Sequence, residues 1–249
     1  MEATKARAAS LKGRISYCEA QNFGRCGALA AAHLSDIVTG RGLPVLSTEA
    51  IKALLIARWI VVSAPPRVIS PWNTVDKNVL FLDGAAEGSS PQKVTVGGVI
   101  FSPRLEGPQF FGFEVASDVV AHWTSTGSKQ VIDQAEVFPA LVAKLTWKST
   151  LACAKNLFFI DNESARENLI RGRSNSWASR ELLLACRVQD ARAQSLDWYA
   201  RVPSRANIAD DPSRLKFGDL LRRGWNEAEV HIPVLQDWVD IDVLKVLCH

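Results

Sequence analysis

Apolar residues recur at helical spacing through GALAAAHLSDIV (27–38) and STEAIKALLIARWIVV (47–62), which predicts two helices, the second with Ser47 as its N-cap. The next stretch, APPRVISPW, holds three prolines and reads as an extended linker. From residue 77 the pattern changes. NVLFLDG (78–84) is a short apolar run closed by Asp-Gly, a buried strand followed by a turn, and KVTVGGVIFS (93–102) with QFFGFEVAS (109–117) reads as a hairpin. QVIDQAEVFPALVAKLTW (130–147) returns to helical spacing, with Pro139 expected to kink the helix or confine it to an early turn. NLFFIDN (156–162) is a second buried strand, and 163–172 and 176–193 are helices. SLDWYARVP (195–203) sets Leu196, Trp198, Ala200 and Val202 against Asp197, Tyr199 and Arg201, a half-buried strand, and a short helix follows through 207–215.

The order β-β-β-α-β-α-α-β-α predicts an α/β fold: a mixed five-stranded sheet, an antiparallel meander plus parallel strands, with helices packed on it. Three zones result: a helical segment with its linker (1–76), the mixed α/β domain (77–216) and a tail of mixed pattern (217–249).

Bulk composition narrows the classes without choosing one. Hydrophobic content of 47% and charged content of 22% are those of a globular chain, and a net charge of +3 permits a polyanionic partner without demanding one. The five cysteines are scattered with no CxxC pair, and the four histidines do not cluster near them, so a zinc site is not expected and reduced thiols are. The run ALLIARWIVVSA (53–64) is too short to span a bilayer and carries Arg58, and residues 1–16 lack the apolar core of a signal peptide. The expectation is a soluble intracellular protein with no membrane partner, in cytoplasm or nucleus, and the opening residues read like a piece cut from a longer polypeptide.

Four carboxylates fall where chemistry is done. Asp83 ends the first strand, Asp161 ends the fourth, Glu136 lies in an early turn of the long helix, and Asp210 opens the last helix. Each alone has a plain structural reading: a turn, a helix-dipole acid, an N-cap. Together they bring acids to the carboxyl ends of neighbouring strands, where α/β folds bind ligands. Such a cluster repels itself unless hard cations neutralise it, and all-oxygen ligation suits Mg2+ or Mn2+.

LFLDGA, QAEVFPAL, LFFIDNESA and VPSRANIADDPSR resemble, in order, the four motifs of type 1 ribonuclease H domains attached to reverse transcriptases, most nearly those of hepadnavirus polymerases and DIRS-like retrotransposons. The resemblance covers about residues 78–216. It implies a ribonuclease H-like fold and an endonuclease that cuts the RNA strand of an RNA–DNA hybrid with two divalent ions. It assigns Asp83, Glu136, Asp161 and Asp210 as catalytic metal ligands; Asp210 is chosen over Asp211 because the family ligand directly follows the alanine. It also implies that the reverse transcriptase of the same polypeptide is a partner, with residues 1–76 as a thumb or connection segment.

Two departures from the family stand out. Cellular members carry a histidine in the loop before the last helix, whereas VPSRAN (202–207) has none; Ser204 or Arg205 occupies the region, and His231 reads as a surface residue of the tail. The basic helix that grips the hybrid is also missing, with Arg171, Arg173 and Arg180 as a modest substitute and Arg205 as a further substrate contact. The rival readings are a non-catalytic ribonuclease H-like module that binds nucleic acid or tethers a polymerase, and another enzyme of the same superfamily.

Overall fold

The structure, a computed structural model, describes residues 4–21, 27–41, 46–66, 76–88, 92–125 and 131–232, with side chains 19–21 left aside. Most of the proline linker, with all of 67–75, and the tail beyond 232 lie outside the described residues. Helices α1 (Lys5–Gln21), α2 (Ala28–Thr39) and α3 (Thr48–Val62) come first. Ser47 caps α3 as its position predicts, accepting from the Ala50 amide at 3.2 Å.

Three antiparallel strands follow, β1 (Lys77–Glu87), β2 (Lys93–Phe101) and β3 (Gln109–Glu114). Helices α4 (Ser117–Thr124), α5 (Ile132–Thr146) and α6 (Lys148–Leu151) lead into β4 (Lys155–Ile160). Then come α7 (Glu163–Arg171), α8 (Trp177–Ala193), β5 (Leu196–Arg201), α9 (Asp210–Ser213), α10 (Gly218–Arg222) and β6 (Asn226–Glu227). The strands order as β5-β4-β1-β2-β3-β6, with β4 parallel to β1 and to β5. The mixed sheet flanked by helices is the expected architecture, but it has six strands instead of five. The sixth comes from residues past 216, where two residues pair parallel to β3 and give too short a run for alternation to register.

Three local differences have physical causes. The Asp83-Gly84 pair makes no turn: β1 runs on to Glu87, and Asp83 sits inside it opposite Gly97. Gly84 is there because α5 approaches closely, and a Cβ would collide with the Ala135 carbonyl. That carbonyl is the one Pro139 leaves without its helical donor, so α5 continues through Pro139 to Thr146 with the freed oxygen against β1. β3 stops at Glu114, and the residues read as its continuation enter α4, a two-turn helix that buries Val119, Val120 and Trp123.

The third difference inverts β5. Asp197 and Tyr199 point into the core and Trp198 is 68% exposed, the reverse of the apolar alternation. The reason is Lys144 of α5, whose ammonium is buried between Asp190 of α8 and Asp197 of β5. Arg187 joins Asp190 at 3.0 Å, giving a quartet of two cations and two anions. A polar row in register across the sheet extends it, Asn78 donating to Asn156 and Asn156 to Asp197, both at 2.8 Å. Burying Lys144 without both acids would cost several kcal/mol, roughly, so the strand turns its carboxylate inward and its indole outward.

Candidate metal centre

The site begins with one row of the sheet. Asp83 lies in register with Gly97 of β2, and Gly97 with Gly112 of β3. A Cβ at Gly97 would collide with the Ser213 amide, and one at Gly112 with the Pro212 carbonyl. The two glycines therefore let α9 lie directly on the sheet, which brings Ser213 over Asp83. The Ser213 hydroxyl donates to Asp83 Oδ2, and the Asn207 amide donates to Asp83 Oδ1 at 3.3 Å and to the Leu82 carbonyl at 3.0 Å. Both positioning residues lie in the ANIADDPSR stretch and were missed in the sequence, where attention goes to the acids; the Ser-Arg that follows the proline was the available signal.

Glu136 reaches the site from the second turn of α5, and Asp161 stands directly after β4. Asn162, not Asp161, caps α7, accepting from the Ala165 amide at 3.0 Å, which leaves the Asp161 carboxylate uncommitted to the helix. One oxygen from each of Asp83, Glu136 and Asp161 falls within 4.8 Å of the others.

The electrostatics are those of a crowded anionic cluster. Burial, then the neighbouring Asp83 and Asp161, push the Glu136 carboxyl up to about 9, only partly offset by the Asn162 side chain and the Gly84 amide. Burial likewise raises Asp83 to about 6, against the Ser213 hydrogen bond, with Asp161 and Asp210 adding to the rise. Glu136 Oε2 and Asp161 Oδ1 are buried with no hydrogen-bond partner. Unpartnered buried carboxylate oxygens are costly, and a hard divalent cation supplies what they lack, so the donor set fits such an ion.

Asp210 is placed differently. It opens α9 as expected and is close enough to bear on Asp83, but its Oδ1 accepts from Arg214 at 2.9 Å and its carboxylate lies outside the group of three. Asp211 is exposed beside it. The structure thus brings three of the four predicted acids together and sets the fourth at the edge.

The predicted substrate contacts spread over the surface. Arg205 is exposed in a 3-10 turn at Ser204–Ala206, immediately before Asn207. Arg173 is exposed, whereas Arg171 pairs with Glu167 at 2.8 Å and Arg180 donates to the Ser174 carbonyl at 2.7 Å. His231 is exposed, with its amide donating to Thr146, far along the chain from the carboxylates.

No family model and no curated protein matches the chain. Among solved structures it is similar to ribonuclease H1 from Halobacterium salinarum NRC-1, at 19% identity over 57% of this chain and 98% of that one, with a TM-score of 0.42. It is similar also to the N-terminal ribonuclease H domain of a Mycobacterium tuberculosis protein, solved as a maltose-binding-protein fusion, at 12% identity over 60% of this chain and 99% of that one, TM-score 0.38. A third, NurA with manganese, matches at 14% identity over 86% of this chain and 44% of that one, TM-score 0.26. Among the described residues no helix is long and apolar enough to cross a membrane.

Proposed function

We propose that the chain is a divalent-metal-dependent endonuclease that hydrolyses the RNA strand of RNA–DNA hybrids, as the ribonuclease H part of a retroelement reverse transcriptase polypeptide. The observation that carries this reading is the convergence of Asp83, Glu136 and Asp161, two of them with an orphaned buried oxygen. The four ordered motifs of the sequence support the hybrid as substrate.

In this reading Asp83, Glu136 and Asp161 hold the metal, and Asp210 joins them from the edge. When bound, two Mg2+ or Mn2+ ions supply an activated water and stabilise the leaving oxygen of a phosphodiester. The chain's own part is to fix the ligands. Asn207 and Ser213 clamp both oxygens of Asp83, and the glycine row holds α9 close enough for that clamp. Arg205, exposed in the 3-10 turn that leads into Asn207, serves the substrate backbone, with Arg173 a second contact. Recognition runs through RNA 2′-hydroxyls and helix shape instead of base sequence.

A second reading is favoured by one observation, the Arg214 pairing that holds Asp210 outside the group of three: a non-catalytic ribonuclease H-like module that binds nucleic acid or tethers a polymerase. One experiment separates the two. An end-labelled RNA–DNA hybrid is incubated with the full chain and Mg2+, beside DNA–DNA and RNA–RNA duplexes of the same sequence. The expected outcome is cleavage of the RNA strand in the hybrid alone, abolished in Asp83→Asn and Asp161→Asn. A hybrid bound but left uncut selects the module; equal cutting of all duplexes means a general nuclease.

A further inference from the structure

One face of the sheet is packed by α5 and α8; among the described residues the other is covered over β2 and β3, where Leu220 of α10 meets Val99 and Phe110. It is covered also along the Asp83 end of β1, where α9 lies and Phe81 packs partly buried against the same cluster. Over β1, β4 and β5 that second face carries a patterned surface. Its rows follow from the register. Val79, Leu157 and Trp198 form one; Phe81, Phe159 and Ala200 form the next; Lys77 stands beside Lys155 at the lower end. Val79, Phe81, Leu157 and Phe159 are each partly exposed, and Trp198 is 68% exposed. Phe81 and Phe159 stack with ring centroids 4.9 Å apart.

Two features of this face go beyond what the fold requires. A tryptophan this exposed contributes little to the core, although the Lys144 quartet explains why some side chain must point outward there. Lys77 and Lys155 are register neighbours on adjacent strands, like charges that repel. Among the described residues neither takes part in an ion pair. An occupant that offered only apolar groups would leave those two charges unanswered. One that offers flat rings and phosphates answers both features at once.

We propose that the β1–β4–β5 face is a binding platform for single-stranded nucleic acid, with bases stacking on Trp198 and on the Phe81–Phe159 pair and phosphates held by Lys77 and Lys155. The platform is about 15 Å wide at the usual strand spacing, enough for a short run of nucleotides. Asp83 is on the same face of β1, two residues beyond Phe81, or about 7 Å. A strand lying along β1 therefore leads to the carboxylates; only that direction rests on the nuclease reading, and the binding itself does not. Stacking on aromatic rings accepts any base and ignores the 2′-hydroxyl, so RNA and DNA single strands are held alike.

The test is a fluorescence-anisotropy titration of the full chain with labelled single strands of about 12 nucleotides, RNA and DNA. It is run in a metal chelator so that no strand is cut. Trp198→Ala is expected to weaken binding of both about tenfold, while Trp198→Phe keeps most of it. Lys77→Gln with Lys155→Gln is expected to reduce the slope of log affinity against log salt by about 1.4, two phosphate contacts on a single strand. All three positions lie on the surface, and circular dichroism of each variant checks its fold. Undetectable binding by the wild type, or affinities and salt slopes unchanged in these variants, overturns the proposal. A dimer seen by sedimentation that Trp198→Ala dissolves, with strand binding unaltered, makes the face a protein interface and overturns it too. Cleavage of a hybrid by the wild type is read separately, so that an inactive wild type counts against the nuclease reading and leaves the platform standing or falling on binding alone.

Discussion

The acids of the site work against the fold that holds them. A buried carboxyl raised to about 9, as Glu136 is, binds a proton in the folded state that it has released in the unfolded state at any pH between about 4.5 and 9. The folded state then carries more protons across that window, so stability falls as pH rises through it. Glu136→Gln removes the ionisation and keeps the shape. Its metal-free form is expected to be more stable than the wild type by on the order of 2 kcal/mol at pH 8, and nearly equal to it at pH 4. Urea unfolding in a chelator at the two pH values measures this, and a variant less stable at pH 8 would contradict the account. Saturating Mg2+ is expected to stabilise the wild type far more than the variant. The adjacent aspartates separate on similar grounds. They lie about 100° apart on a helix, and only Asp210 bears on Asp83 and pairs with Arg214. Asp210→Asn is expected to raise the Mg2+ concentration needed for cleavage and to slow it at least tenfold, whereas Asp211→Asn costs only a few tenths of a kcal/mol, roughly. The opposite ranking in a metal titration of activity would move the ligand by one residue.

At the scale of elements, what could be read in the sequence was what burial period alone decides. β4, α7 and α8 lie close to their expected spans because each is an uninterrupted apolar run or a capped amphipathic helix. The elements that were misjudged depend on partners distant in sequence. Asp83-Gly84 reads as a turn until α5 is seen to press on Gly84, and Gly97 and Gly112 mean nothing until α9 is laid across them. β5 is the sharpest case. Its alternation favours Trp198 inward, yet the decisive residue is Lys144, in a helix over fifty positions upstream, which requires Asp197 on the core side. Burial alone would raise the Asp190 carboxyl, but Lys144 and Arg187 hold it down, at about 2. Lys144→Met leaves two buried acids sharing one guanidinium, so it is expected to cost about 3–5 kcal/mol. The double change Lys144→Met with Asp197→Leu is expected to recover much of that loss, because it removes one buried charge of each sign. Denaturant melts of the single and double variants check the pairing, and a double variant no better than Lys144→Met alone would place the cost elsewhere.

Across the whole molecule, the question is whether the leading helices are a separate body. By sequence, composition changes sharply at residue 77, and a linker of prolines marks the change. In the structure Leu29 and Ala30 of α2 and Ala53, Ile56 and Ala57 of α3 belong to the same apolar cluster as Leu80, Phe138 and Leu184. Trp59 of α3 lies under the Arg192 guanidinium of α8, and the Gln194 amide donates to the carbonyl of Pro66, four residues past the end of α3. α1 touches a smaller cluster of its own, Ala8 with Leu34 and Ile37. Shared burial of this kind couples α2 and α3 to the sheet, while α1 leans mainly on α2, with Ile15 reaching the edge of the main cluster. Ile56, with no exposed surface, is the position where that coupling is measured. Ile56→Ala is expected to cost about 2–4 kcal/mol and to move one single transition, followed identically by tryptophan fluorescence and by far-ultraviolet circular dichroism. Mg2+, binding some distance away at the carboxylates, is then expected to raise the midpoint of that same transition in wild type and variant alike, because a ligand of the folded state stabilises everything that unfolds with its site. Two transitions, only one of them moved by Mg2+ and the other by Ile56→Ala, would instead make the proline linker a true domain boundary.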